Sequence, residues 1–154
     1  MHDFVIRAED PATAEVRELL DRHLTFTREN SPPEECYALD ENGLDAEDVF
    51  VFGLREEGEL LGIGALKRIG PRHAELKSMH TAEAARKRGV GRAMLDQLFV
   101  WASESGYSRI SLETGTAKAF ESARRLYESA GFRSCEPFGN YVSSPNSVYM
   151  TRKL

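Results

Sequence analysis

Arg86-Lys87-Arg88-Gly89-Val90-Gly91-Arg92 decides how this chain is read. Four cations and two glycines fall between a short apolar–polar run and an amphipathic helical pattern. A helix N-terminus leaves backbone N–H groups without partners and carries the positive end of the helix dipole, so such a turn suits a phosphate. Gly89 and Gly91 lack a Cβ, which lets a bulky anion approach the main chain. In a chain of formal net charge −5, a local cation cluster points to a specific anionic ligand. A charge run alone is usually a solvated helix start, so the flanking sequence has to discriminate.

Two nucleotide-binding motifs are set aside. A dinucleotide fingerprint wants a third glycine or alanine where Met94 stands, and it opens the first βαβ unit of a domain. A P-loop needs Gly-Lys followed by Ser or Thr, which is absent. The 154 residues fit one domain, 1–154, with a composition of 41% hydrophobic and 29% charged residues that describes an ordinary soluble globule. No apolar run approaches a membrane span, and Met1-His2-Asp3-Phe4 does not open a signal peptide. Cys36 and Cys135 form neither a zinc set nor a disulfide framework, and His2, His23, His73 and His80 show no metal-ligand spacing. The expectations are a cytoplasmic protein without metal. The acidic balance argues against nucleic acid as the main partner.

Outward from the turn, Phe4–Arg7 reads as a first strand, and Asp10-Pro11 as a helix cap followed by proline at the first helical position. Val16, Leu19, Leu20, His23 and Leu24 recur at helical spacing. The pattern fails from Thr27 to Asp48, predicting a long surface loop with a helical turn near Glu34–Leu39. Val49–Leu54 and Leu60–Lys67 form a hairpin through Glu56–Glu59, and Ala74–His80 is the next strand. After Gly89 comes a helix with Val90, Met94, Leu98 and Trp101 on one stripe, ended by Gly106. Strand Ile110–Thr114 is followed by a helix with Phe120, Ala123, Leu126, Tyr127 and Ala130 on its stripe, then strands near Phe132–Pro137 and Ser147–Arg152. Ala74–His80 and Ile110–Thr114 are joined through a helix and should run parallel, whereas the earlier hairpins are antiparallel. The expected fold class is α/β, with a mixed sheet of six to seven strands and helices on both faces.

Arg86-x-x-Gly89-x-Gly91 resembles motif A of the GCN5-related N-acetyltransferases, the GNAT superfamily. Leu126-Tyr127-Glu128-Ser129-Ala130-Gly131-Phe132 resembles the family's Leu-Tyr-x-x-x-Gly-Phe signature. Two motifs in order, in matching strand and helix contexts, are far more specific than either alone. The order of elements also matches over nearly the whole chain. One departure stands out: many members place Asn seven residues before this tyrosine to bond the pantetheine arm, and here that position is Phe120.

The resemblance implies direct transfer of an acetyl group from acetyl-CoA to an amine. It assigns the pyrophosphate to Arg86, Lys87, Arg88, Gly89, Val90, Gly91 and Arg92, and the pantetheine to main-chain groups of Met79, His80 and Thr81. An N–H there can polarise the thioester oxygen. For the base it favours Glu75, eleven residues before Arg86, where histone-acetylating members carry theirs. Glu75, Lys77 and Met79 alternate onto one strand face, so a plain Glu75–Lys77 pair is the alternative. Glu113, at the carboxyl end of its strand, is a second candidate that could bind the amine, and His80 is a third base. Tyr127 is favoured as the acid that meets the departing thiolate, although it also falls on a core stripe.

Motif A names the cofactor and says little about the acceptor. Glu34, Glu35, Asp40, Glu41, Glu75 and Glu113 would favour a cation, whereas Lys77, Arg28 or Arg7 would suit the carboxylate of an amino acid. The Thr27–Asp48 and Phe138–Asn146 loops, the second with Asn140, Tyr141 and Ser143 as polar handles, are expected to shape the pocket. A small amine or amino acid is the reading. A protein or peptide N-acetyltransferase, or a non-catalytic acetyl-CoA-binding module, are the alternatives. Domains of this family often pair, which makes a homodimer an expectation.

Overall fold

The structure, a computed structural model, describes residues 3–35, 37, 43 and 46–154. The strands are β1 (Phe4–Ala8), β2 (Val49–Glu56), β3 (Glu59–Gly70), β4 (His73–Thr81), β5 (Arg109–Gly115), β6 (Arg133–Ser134) and β7 (Ser147–Lys153). The helices whose bounds lie among the described residues are α1 (Ala14–Asn30), α2 (Val90–Glu104) and α3 (Glu121–Ser129), with short 3-10 turns at Pro33–Glu35, Glu83–Ala85 and Lys118–Phe120. The strands form one mixed sheet in the order β1-β2-β3-β4-β5-β7-β6, and β4–β5 is its parallel pair. The expected α/β class with a six- to seven-stranded sheet is thus met by seven strands.

Alternation along β3 sorts the helices onto opposite faces. Ile63 and Ala65 join Val16, Leu19, Leu20 and Leu24 of α1, while Leu66 joins Met94, Leu95 and Leu98 of α2. Burying Met94, Leu95 and Leu98, each at or below 1% exposure, contributes roughly 1.5–3 kcal/mol apiece. Tyr127, Ala130 and Phe132 share the α2 cluster, which brings the end of α3 to the same face. The β2–β3 turn uses Glu57 at φ 50° and Gly58 at φ 84°, the twist-matched geometry of a two-residue hairpin.

Five expectations need correction. Asp10 does not cap a helix starting at Pro11; its Oδ1 accepts from the Ala12 N–H at 2.8 Å, and α1 begins at Ala14. The helix then runs to Asn30, four residues into the predicted loop, because Phe26 has a packing partner in Phe120. The expected turn near Glu34–Leu39 is a 3-10 turn at Pro33–Glu35; residues 36 and 38–42 lie outside the described ones. The penultimate strand, expected over Phe132–Pro137, is only Arg133–Ser134.

The fifth concerns β4. A bulge interrupts its pairing with β3 between Ile63 and Ala65, and Ser78 there takes φ +56°. The extra residue resets the alternation. Met79 therefore packs into the α2 cluster, 2.9 Å from where a Cβ on Gly64 would sit, and not on the face of Glu75 and Lys77. His80 joins the α1 side, where its ring meets His23 edge-on at 5.4 Å. No helix among the described residues is long and apolar enough to cross a membrane.

Candidate active site

β4 and β5 pair only through His73↔Arg109, Ala74↔Ile110 and Glu75↔Ser111. Beyond Glu75, the β4 stretch that holds Met79, His80 and Thr81 has no β5 partner, while β5 continues against β7 to Gly115. Unpaired main-chain groups on an inner strand are unusual, because each buried N–H or C=O needs a partner. The splayed edge therefore offers an added extended chain a ladder, beside Met79, His80 and Thr81, to which the family resemblance assigns the pantetheine.

The Arg86–Arg92 turn ends in the same region. Gly89 is the N-cap of α2 at φ +81°, with no side-chain cap, so the first-turn N–H groups keep their anion-binding capacity. A Cβ on Gly89 would touch nothing within 4 Å, and the glycine is required there for its backbone angle. At Gly91 a Cβ would sit 2.8 Å from Leu126 Cδ2, so that glycine lets α2 approach α3 and does not make room for an anion. Val90 is buried against Gly62, leaving its main chain alone for a ligand.

The cations divide into two kinds. Arg88 forms an ion pair with Glu56. Arg92 bonds Asp96 at 3.1 Å and the Ser129 carbonyl at 3.2 Å, closing the end of α3 onto α2. Arg86 and Lys87 are exposed, and neither makes an ion pair with the described residues. They are the cations the turn presents. Among the described residues, no cluster of three or more His, Cys, Asp or Glu could hold a metal.

Glu75 sits at the last paired position, 5% exposed. Its Oε2 accepts from Lys77 Nζ at 3.2 Å and from Tyr141 Oη at 2.5 Å, and Lys77 Nζ also donates to Tyr141 Oη at 3.0 Å. The predicted Glu75–Lys77 pair exists, and Tyr141 completes it from a loop far along the chain. Glu113 on β5 accepts from Ser147 Oγ at 2.8 Å. Burial pushes its carboxyl above the ordinary range, opposed by the Ser147 hydrogen bond and by Lys77.

Tyr127 is 8% exposed in the core cluster, its ring edge-on to Phe132. Burial, with Glu113 adding to it, pushes its phenol up to about 12. The hydroxyl is therefore a donor throughout the neutral range. His80 is pushed down to about 4 by burial, then by Arg86 and Arg22. That makes it a weak base, engaged with His23 on the α1 side. Phe120 does not imitate an asparagine: it packs on Phe26 at 5.3 Å and fills the space where a Cβ of Gly115 would fall.

The second loop contributes more than the sequence suggested. Phe138, Tyr141 and Tyr149 meet edge-on or tilted at 5.2–6.0 Å, and Tyr37 meets Tyr141 at 5.0 Å. Glu35 accepts from Ser144 Oγ and from Asn146 Nδ2, the latter at 2.7 Å, tying the segment after α1 to the β6–β7 loop. Arg7 pairs with Glu9 at the far edge of the sheet, Arg28 and Glu34 are exposed, and Asp40 and Glu41 lie outside the described residues. Sequence reading named Tyr141 only as a polar handle and assigned no role to Tyr37 or Tyr149. Their aromatic spacing carries no periodic signal that could have grouped them.

A family model described as the acetyltransferase (GNAT) family matches residues 13–132. An uncharacterized N-acetyltransferase of Bacillus subtilis, YsnE, is 42% identical over 97% of this chain and 99% of its own length. The IAA acetyltransferase of Azospirillum brasilense is 30% identical over the whole of both chains. Among solved structures, a Bacillus subtilis acetyltransferase in complex with CoA superposes with a TM-score of 0.74 at 18% identity, covering 99% of each chain.

Proposed function

This chain belongs to the GNAT family of acetyltransferases, and from that premise we propose that it transfers the acetyl group of acetyl-CoA directly to the amine of a small, carboxylate-free molecule. One domain, 1–154, carries the whole reaction. The observation that carries the cofactor assignment is the β4–β5 splay ending beside an uncapped helix N-terminus with Arg86 and Lys87 exposed. These features fit a ligand with an extended arm and a pyrophosphate. First-turn N–H groups, Arg86 and Lys87 would hold the phosphates, and the β4 main chain from Met79 to Thr81 would line the arm. Bound acetyl-CoA supplies an activated acyl carbonyl.

The residues around it divide the proton work. Glu75 Oε1 takes the proton from the acceptor ammonium, freeing the nitrogen lone pair. Glu113 holds and orients that ammonium at the end of β5. Tyr127, protonated at working pH, gives a hydrogen bond or proton to the departing sulfur. His80 needs no chemical role.

Two features favour a small amine over an amino acid or peptide. Lys77, the cation of the acceptor region, is committed to Glu75 and Tyr141, so a substrate carboxylate would have to displace an existing pair. The Glu35 bridge to Ser144 and Asn146 ties the segment after α1 to the β6–β7 loop, which weighs against an open groove for an extended peptide. Rings of Tyr37, Phe138, Tyr141 and Tyr149 favour a cation with an apolar body. A thiol-release assay tests this with matched pairs that differ by one carboxylate, cadaverine against lysine and tyramine against tyrosine. IAA and a free-amine peptide complete the panel. The amines should exceed their amino acids about tenfold or more in kcat/KM, the scale of one misplaced buried charge. Preference for the amino acids, IAA or the peptide would overturn the acceptor reading. Acetyl-CoA binding without thiol release in any arm would leave a binding module.

A further inference from the structure

We propose that Tyr141 is a positioning residue that fixes the Glu75 carboxylate for proton transfer and thereby makes the β6–β7 loop part of the catalytic apparatus. This rests on the assignment of Glu75 as base. A glutamate's terminal torsion is broad, so an isolated carboxylate turns its oxygens freely. Here both donors converge on one oxygen: Lys77 Nζ and Tyr141 Oη each bond Oε2. Oε1 accepts no hydrogen bond from the described residues. The clamp thus fixes the carboxylate plane and leaves the second oxygen for an incoming N–H.

The Glu75–Lys77 ion pair would exist without Tyr141, since both residues belong to the same strand face. What Tyr141 adds is direction, and its own placement is heavily specified. The turn Phe138–Tyr141 closes with the Tyr141 N–H on the Phe138 carbonyl at 3.1 Å, with Gly139 at φ +58°. The ring is flanked by Tyr37, Phe138 and Tyr149. Tyr149 Oη bonds the Val142 carbonyl at 2.7 Å, and the Thr116 N–H bonds the Asn146 carbonyl at 3.1 Å. The loop is therefore pinned to β7, to the end of β5 and, through Glu35, to the segment after α1. Burial and the neighbouring Glu75 raise the Tyr141 phenol above its ordinary value, so it remains a donor. No proton leaves it during the reaction: the amine N–H bond breaks and the new O–H bond forms at Glu75 Oε1.

The test is a double-mutant cycle of Tyr141→Phe and Glu75→Gln, read as kcat with the preferred amine, KM for acetyl-CoA, and acetyl-CoA affinity by calorimetry. Phenylalanine keeps the ring and its aromatic neighbours. Tyr141→Phe should lower kcat about tenfold, with acetyl-CoA affinity and KM within about twofold of wild type. In the Glu75→Gln background the same change should cost almost nothing further, because its target is already gone. Equal losses in both backgrounds would show a structural effect independent of Glu75 and overturn the proposal. Wild-type turnover of Tyr141→Phe beside an impaired Glu75→Gln would overturn it while leaving the base assignment standing. Wild-type turnover of Glu75→Gln would remove both. Should Tyr141→Phe lose acetyl-CoA binding, Tyr141→Trp, which restores a ring with an N–H donor, must recover kcat; failure of that rescue also counts against the proposal.

Discussion

Glu75 faces Ser111 across the last paired position of β4 and β5, and the sheet opens immediately beyond it. Ser111 is bound sideways, to His73 Nε2 at 2.6 Å and Thr151 Oγ1 at 2.9 Å. The closed end of the fork is therefore cross-linked by side chains, while its open end carries the β4 edge. A bulge at Ser78 interrupts the β3–β4 pairing just past Lys77, on the open side of the fork, and redirects Met79 into the core. Position along one strand separates the proposed roles: a carboxylate at the fork, and main-chain groups beyond it.

That separation makes the two carboxylates distinguishable. Glu75→Gln should lower kcat by about a hundredfold or more, the usual worth of a general base, with acetyl-CoA affinity little changed. Glu113→Gln should chiefly raise KM for the amine, by about tenfold, through loss of a charged hydrogen-bond partner. Because burial raises the Glu113 carboxyl, its protonation begins above the ordinary carboxylate range as pH falls. KM for the amine should rise on that acid side in the wild type and stay flat there in Glu113→Gln. A reversal of the kcat and KM effects would exchange the assignments.

The two motif glycines should respond differently. Gly89→Ala meets open space but a φ of +81°, so its cost is backbone strain of about 1–2 kcal/mol. That should appear as a melting temperature lower by about 2–8 °C, with weaker acetyl-CoA binding as the turn relaxes. Gly91→Ala keeps an allowed helical residue but pushes on Leu126. The flexible methyl end should yield, leaving a smaller thermal change. Equal melting losses in both variants would mean that the left-handed cap is not what Gly89 supplies.

The element order and the parallel pair were legible because hydrophobic periodicity and helical crossovers are local or near-local signals. The turn was legible because glycines and cations sit together in sequence. What escaped was set by tertiary geometry. Nothing in Ser78, a non-glycine at positive φ, announces a bulge, so alternation put Met79 on the wrong face. Nothing in the sequence around Arg88 and Arg92 announces that Glu56 and the Ser129 carbonyl lie beside them. Tyr141 reaches Glu75 from 66 residues away, a contact that only the folded sheet creates.

The two histidines of α1 and β4 should shape acid stability. Burial, reinforced by the facing His80, pushes His23 down to about 4, and burial with Arg86 and Arg22 does the same to His80. In the unfolded chain both titrate near 6.5. Between pH 6.5 and 4 the unfolded state binds more protons, so stability is intact above 6.5 and falls as pH drops through this window. His23→Phe removes one of these groups and keeps an aromatic ring. Its melting temperature should fall less than that of wild type between pH 7 and pH 4.5, by about 3–6 °C. An identical fall in the two proteins would mean that His23 already charges in the folded state.

Tyr127 offers the sharpest separation of packing from chemistry. Its ring lies in the α2 core against Phe132, and Tyr127→Phe preserves that ring, so the melting temperature should change little. The variant lacks the one proton donor proposed for the leaving sulfur. Acetyl transfer should slow about ten- to a thousandfold while acetyl-CoA still binds. With the phenol pushed up to about 12, Tyr127 should remain protonated across the working range, so kcat should show no alkaline loss from this group below about pH 11. The deficit of the variant should therefore be constant from pH 7 to 10, and largest for acyl donors whose thiol leaves with difficulty. Measuring kcat across that range with acetyl-CoA and with a thioester of a more acidic thiol checks both points. A Tyr127→Phe enzyme with wild-type turnover for both donors would return Tyr127 to the core, with water as the source of the proton.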